Sequence, residues 1–133
     1  MDPKSLHFAP THEWAHLQDG VVTVGISAFA ADQLGDVTLV DLKKPGTRVE
    51  AQGSCGEVES VKSVSDIYAP LAGEIVETND AAVNKAINVD SKAIAADPYG
   101  ACWLLKLKVA PGASLDGLLK YDAYEKQIAS EGH

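Results

Sequence analysis

Cysteine is scarce in this chain, with only Cys55 and Cys102 among 133 residues. Neither belongs to a CxxC pair or a His/Cys cluster; each sits in an apolar, strand-like context, so buried thiols are expected. Positive charge is also short. Eleven basic residues face nineteen acidic ones, a net charge of −8, which repels phosphate backbones and anionic membrane surfaces. That excludes nucleic acid and membrane as partners. No uninterrupted apolar run approaches the length of a membrane span, and Met1-Asp2-Pro3-Lys4 lacks the charged-then-apolar pattern of a signal peptide. A soluble, cytoplasmic protein is expected. The length allows one core and little more, so residues 1–133 are expected to form a single domain, and a monomer.

Short strands and tight turns fill most of the chain. Thr11 to Leu17 leads into Asp19-Gly20, a two-residue hairpin signal, and the β-branched run Val21 to Ile26 follows at once. Ser27 is placed to cap a short helix, Ala28 to Leu34, which Gly35 ends. Asp36 to Leu42 alternates as a strand with Val37, Leu39 and Asp41 on one face, and Pro45-Gly46 turns the chain. Residues 79–97 shift to Ala, Asn, Asp and Lys, which fits an irregular loop or a short surface helix around Ala81 to Ile87. Cys102 to Val109 is the last clear strand. Beyond Pro111-Gly112, Ser114 is placed to cap a C-terminal helix with Leu115, Leu118, Leu119 and Ile128 on its apolar side. The sum is a mostly β fold, a small sandwich or flattened barrel with helices at its edges.

His12-Glu13-Trp14-Ala15-His16 spells HExxH, in which two histidines one helical turn apart bind zinc and the glutamate acts as base. That chemistry requires a helix. Pro10 before the motif, and Asp19-Gly20 and a β-branched strand soon after it, leave no length for one. In a strand the two histidines would stand roughly 13 Å apart, at about 3.3 Å per residue, too far to share a metal. A metalloprotease is therefore set aside.

The stretch from Gly56 to Ile75, GEVESVKSVSDIYAPLAGEI, centres on Lys62. Small and β-branched residues on both sides read as two strands meeting at a tight turn, with the lysine at the tip. By pattern alone this is an ordinary solvated lysine. Five segments in order change that reading: THEW at Thr11 to Trp14, VGIS at Val24 to Ser27, LGDV at Leu34 to Val37, ESVKSVSDIYAPLAGEI at Glu59 to Ile75, and DPYG followed by Trp103. Together they resemble the glycine cleavage H-protein family. The fold this implies is the lipoyl (biotinyl/lipoyl-attachment) barrel-sandwich hybrid, here with short helices in the N-terminal half and a helix at the C-terminus.

The resemblance places Lys62 at the lipoyl-lysine position, carrying lipoic acid in amide linkage. Val61 and Ser63 flank it, unlike the methionines usual in biotin carriers. It implies a carrier with no catalytic residues of its own. In the family's cycle a pyridoxal-phosphate glycine decarboxylase (P protein) loads an aminomethyl group, a tetrahydrofolate-dependent aminomethyltransferase (T protein) removes it, and dihydrolipoamide dehydrogenase (L protein) reoxidises the arm. A lipoyl ligase or lipoyl/octanoyl transferase attaches the arm. The cargo is an amine, protonated near neutral pH. Acids near the arm, Glu13 and Asp66 first and then Glu59, are therefore expected to hold it through charge-assisted hydrogen bonds. Solvated surface carboxylates are the alternative for all three.

Three features depart from the family pattern: a long segment between Asn79 and Asp97, Cys102 before the tryptophan, and Cys55 in the strand leading to the lysine. The long segment bears on the fit to partner enzymes. It keeps open two other roles that also use Lys62: an H-like lipoate-binding protein of sulfur oxidation, and a lipoyl-relay donor.

Overall fold

The computed structural model describes residues 1–131. A 3-10 turn at Pro3–Ser5 precedes β1 (His7–Phe8), β2 (Glu13–Gln18) and β3 (Val21–Ile26). The β2–β3 turn places Asp19 at φ 53° and Gly20 at φ 76°, the left-handed pair that a two-residue hairpin of right-handed twist requires. Helix α1 (Ala28–Leu34) begins where Ser27 Oγ accepts from Ala30 N–H and stops at Gly35, as the cap and breaker residues predict. β4 (Val37–Leu42), β5 (Arg48–Val49), β6 (Ser54–Ser60), β7 (Val64–Tyr68) and β8 (Gly73–Thr78) follow. Next come α2 (Asp80–Val89), α3 (Ala93–Ala96), β9 (Leu105–Lys108), β10 (Leu119–Lys120) and α4 (Tyr121–Glu131).

These strands form two antiparallel sheets. The larger runs β10-β1-β2-β3-β9-β8-β5, and the smaller runs β4-β6-β7. Both remain open, giving the mostly β sandwich with short helices and a C-terminal helix that was expected. The core between them is aliphatic, with Val22, Val24, Val58, Ile75, Leu105 and Leu107 fully buried. A second cluster of Leu6, Phe8, Trp14 and Tyr124 packs α4 onto the larger sheet. Gly25 lies opposite Trp14 across the β2–β3 pair. A Cβ at Gly25 would stand 2.4 Å from the indole nitrogen, so only glycine leaves room for that side chain.

Three expectations fail on register or length. Leu39 does not share the inward face of β4. The pairing with β6 slips between Val37 and Leu39, a bulge that reverses the alternation, so Val40 and Leu42 point inward and Leu39 is exposed. Of the two readings of residues 79–97 the loop fails and the helix holds: α2 contains Ala81 to Ile87 and extends past it at both ends, it is anchored by buried Val83 and Ile87 rather than lying on the surface, and α3 follows. The C-terminal helix starts at Tyr121 rather than after Ser114. Asp116-Gly117 interrupts the pattern, Leu115 drops into the main core, and Leu119–Lys120 pairs with β1 instead.

The long segment closes one edge of the smaller sheet. Asn84 accepts from Val40 N–H at 2.8 Å and donates to Val40 O at 2.9 Å, taking the place of a neighbouring strand. Val37 N–H donates to Ser91 O at 3.0 Å. The opposite edge strand is β7, which carries the chain away from Lys62.

Candidate functional site

Lys62 occupies the turn between β6 and β7, and the turn's backbone is held from several directions. Ser60 N–H donates to Ser63 O at 2.8 Å, and Val61 N–H donates to Asp36 O at 3.0 Å, tying the tip to the end of α1. Ser60 Oγ accepts from the N–H groups of Lys62 and Ser63 at 3.3 and 3.2 Å. The side chain is free by comparison. Lys62 is exposed and joins no salt bridge among the described residues. Its ammonium lies over Gly35, where a Cβ would stand 3.9 Å from Nζ. Val61 and Val64, at 67% and 57% exposure, form an apolar collar beside it. A fixed base with an exposed amine that makes no salt bridge among the described residues suits covalent attachment.

Beside the turn lies a cleft of about 370 Å³. One wall is β7, from which Asp66 and Ile67 contribute; the other is α1, with Phe29 and Gln33; Thr11, His12 and Glu13 close the inner end. Glu13 is only 1% exposed, which excludes the solvated-carboxylate alternative for this residue. Thr11 Oγ1 donates to Glu13 Oε1, and Tyr68 N–H donates to Oε2 at 3.0 Å. Burial raises its pKa above the ordinary 4.5, while those two hydrogen bonds pull the other way. Asp66 lines the same cleft but is exposed. It accepts from Ser54 Oγ at 3.3 Å and from the Tyr68 hydroxyl at 3.5 Å. Glu59 stands elsewhere, half-buried between Leu39 and Val64 on the smaller sheet. The structure thus brings Glu13 and Asp66 together and leaves Glu59 out of the cleft lining.

The HExxH string is not helical: Glu13 to His16 are extended in β2, while His12 falls in the turn before it. His12 precedes β2 at φ 80° and bonds the Tyr124 hydroxyl through Nδ1 at 2.7 Å. His16 lies within β2 and meets Gln18 at 3.4 Å. The two rings serve different neighbours.

No sequence motif marks Phe29, Gln33, Tyr124 or Glu131 as site residues. Phe29 and Gln33 sit on a helix that sequence places correctly, so its exposed face was the available signal. Tyr124 and Glu131 reach the site from the far end of the chain, and no local pattern marks them.

Both cysteines are buried and free. Burial, reinforced by the Glu13 charge, pushes the Cys55 thiol up to about 11, and burial also raises Cys102. Thiolate is the reactive form. Iodoacetamide near neutral pH is therefore expected to leave both unlabelled in the native protein and to label both in denaturant. Rapid labelling of the native chain at Cys55 would contradict this and make thiol exchange at the site a live reaction.

Comparison with known proteins agrees with this geometry. The family model described as "Glycine cleavage H-protein" matches residues 6–131. A glycine cleavage system H protein of Nitrosomonas eutropha is 46% identical over 132 residues, covering 98% of each chain. One from Synechococcus sp. (strain JA-2-3B'a(2-13)) is 43% identical over 126 residues, covering 95% of this chain and 94% of its own. The crystal structure of a glycine cleavage system H protein from Mycobacterium marinum superposes with a TM-score of 0.78 at 39% identity, covering 98% and 99% of the two chains. With the lysine turn, the open sandwich and full-length similarity in agreement, the chain belongs to the glycine cleavage H-protein family.

Proposed function

We propose that this chain is the lipoyl carrier of a glycine cleavage system, with lipoate in amide linkage to Lys62. It would take the aminomethyl group of glycine from the P protein to the T protein and be reoxidised by the L protein. The observation that carries this reading is the unpaired Lys62 amine on a multiply bonded turn, beside a cleft whose inner end holds a buried carboxylate. These residues fit the group. The amine is accessible to a lipoyl ligase or lipoyl/octanoyl transferase, and amide formation removes a charge that no partner among the described residues neutralises.

Lipoate supplies a disulfide on a flexible arm, the redox and sulfur chemistry that the turn and cleft themselves lack. The protein's part is to position and protect. The turn anchors the arm, Val61 and Val64 give it an apolar surface, and Phe29 and Ile26 narrow the space open to water. Glu13 and Asp66 offer carboxylate oxygens to an ammonium, and charge-assisted hydrogen bonds strengthen where water is excluded. Neither acts as base or nucleophile in this reading, so the chain is a non-catalytic component. On this reading the chain would act as one carrier unit in the cytoplasm.

Lipoylation with a competent ligase followed by peptide mapping is expected to place the group on Lys62. The modified protein is then expected to support glycine–bicarbonate exchange by a P protein. An unmodified Lys62 sinks the attachment site. Full modification without exchange turns the function toward sulfur oxidation or lipoyl relay, which the names of the relatives do not favour.

A further inference from the structure

We propose that the Tyr124 hydroxyl is a positioning group for the cleft, holding the wall that carries Glu13 and the wall formed by α1 at a fixed angle. This rests on the reading that the cleft shelters the cargo amine. Tyr124 belongs to α4, 97 residues from Ser27 and 112 from His12 in sequence, yet its hydroxyl touches both, at 2.6 and 2.7 Å. Its ring is fixed separately, 2% exposed and stacked on Phe8 at 4.3 Å and 6°. The hydroxyl is therefore delivered to its partners by a rigid body.

Each partner governs one wall. Ser27 caps α1, with Oγ accepting from Ala30 N–H at 3.1 Å, and α1 presents Phe29 and Gln33 to the cleft. His12 immediately precedes Glu13. The two walls already meet through Ser27 N–H donating to His12 O at 2.9 Å. Glu13 also pairs with Ile26 at the end of the β2–β3 ladder, and Ala28 N–H donates to the Tyr99 hydroxyl at 2.9 Å. These ties hold the backbone, and Tyr124 adds the one that joins the side chains of His12 and Ser27. His12 also holds a left-handed φ of 80°, a conformation that a non-glycine residue keeps only where its surroundings over-determine it. The tie to Tyr124 and the contact from Nε2 to Glu131 at 3.3 Å are the side-chain bonds that do so.

One hydrogen assignment satisfies the whole chain. Ser27 Oγ–H donates to Tyr124, Tyr124 O–H donates to His12 Nδ1, and His12 Nε2–H donates to Glu131, leaving Ser27 Oγ free to accept the cap. Removing the Tyr124 oxygen deprives His12 Nδ1 of its donor and loosens His12, the residue that leads into Glu13.

Tyr124→Phe keeps the ring stack and removes only the hydroxyl. In the unmodified variant, nitrogen NMR is expected to show the His12 Nδ1 resonance move as it loses the hydrogen bond it accepts. Carboxyl NMR is expected to show Glu13 titrating closer to the ordinary carboxylate range as water enters. Once loaded, the variant is expected to release ammonia roughly fivefold faster than wild type, the effect of losing one neutral hydrogen bond. Oxidation of its reduced, unloaded arm by the L protein with NAD should not change. Unaltered His12 and Glu13 signals, or unaltered ammonia release, overturn the proposal. If Tyr124→Phe fails to fold, His12→Asn breaks the same tie from the other end with a residue that tolerates left-handed φ; an unmoved Glu13 titration in that variant overturns it equally. The shelter reading fails separately, if wild-type loaded carrier releases ammonia as fast as loaded free lipoamide.

Discussion

Lys62→Arg is expected to fold as wild type does and to accept no lipoate at all. The side chain is exposed, joins no salt bridge among the described residues and contributes nothing to either core cluster. A surface exchange of this kind falls within about ±0.5 kcal/mol. Arginine preserves the positive charge and most of the length, so the electrostatics of the tip stay as they were. The chemistry does not survive: a guanidinium stays protonated and delocalised, whereas an ammonium can give up a proton and form an amide. Intact mass, peptide mapping and a thermal melt on the same sample check both halves. Lipoylation persisting in the variant would move the attachment site to another lysine. A large drop in melting temperature would mean that Lys62 supports the turn, against the free side chain seen here.

The parts legible from sequence are those settled within a few residues. Asp19-Gly20, the Ser27 cap, the Gly35 stop and the turn around Lys62 each encode their geometry locally, and each stands where it was expected. The alternation of leucine and lysine in β9 is of the same kind, with Leu105 and Leu107 inward. Family resemblance then supplied a purpose for a lysine that pattern alone leaves as surface. What escaped depends on distant partners. Leu119 and Lys120 carry a helical pattern, but β1 lies ready to pair with them across more than a hundred residues. The bulge at Leu39 is set by how β4 meets β6, and no feature of β4 alone announces it. Glu13 is the instructive case. A glutamate beside a tryptophan at the start of a strand reads as exposed, and it is buried because Tyr68, 55 residues away, lays its N–H against the carboxylate.

That burial gives Glu13→Gln an uncommon expected outcome: stability held or improved, protection of the cargo lost. A glutamine here satisfies the same neighbours, its oxygen accepting from Tyr68 N–H and its amide donating to Thr11 Oγ1. The variant also removes a pH dependence whose sign follows from the raised pKa. Because the folded protein holds this proton more tightly than the unfolded chain, the contribution to stability is full below the unfolded value of 4.5 and is lost as pH rises through the folded one. Denaturant unfolding of wild type should show that decline, and Glu13→Gln should flatten it and be no less stable near neutral pH. Function moves the other way. An arriving ammonium favours the ionised carboxylate, and a hydrogen bond to a charged group is worth about 1.5–3 kcal/mol, so the loaded Gln variant should release ammonia about ten- to a hundredfold faster. Glu13→Ala separates the two effects, since it strands the Tyr68 N–H and should cost about 1–3 kcal/mol of stability besides. If Glu13→Gln retains its cargo as wild type does, the buried carboxylate is a structural partner of Tyr68 and the holding of the amine falls to Asp66 alone.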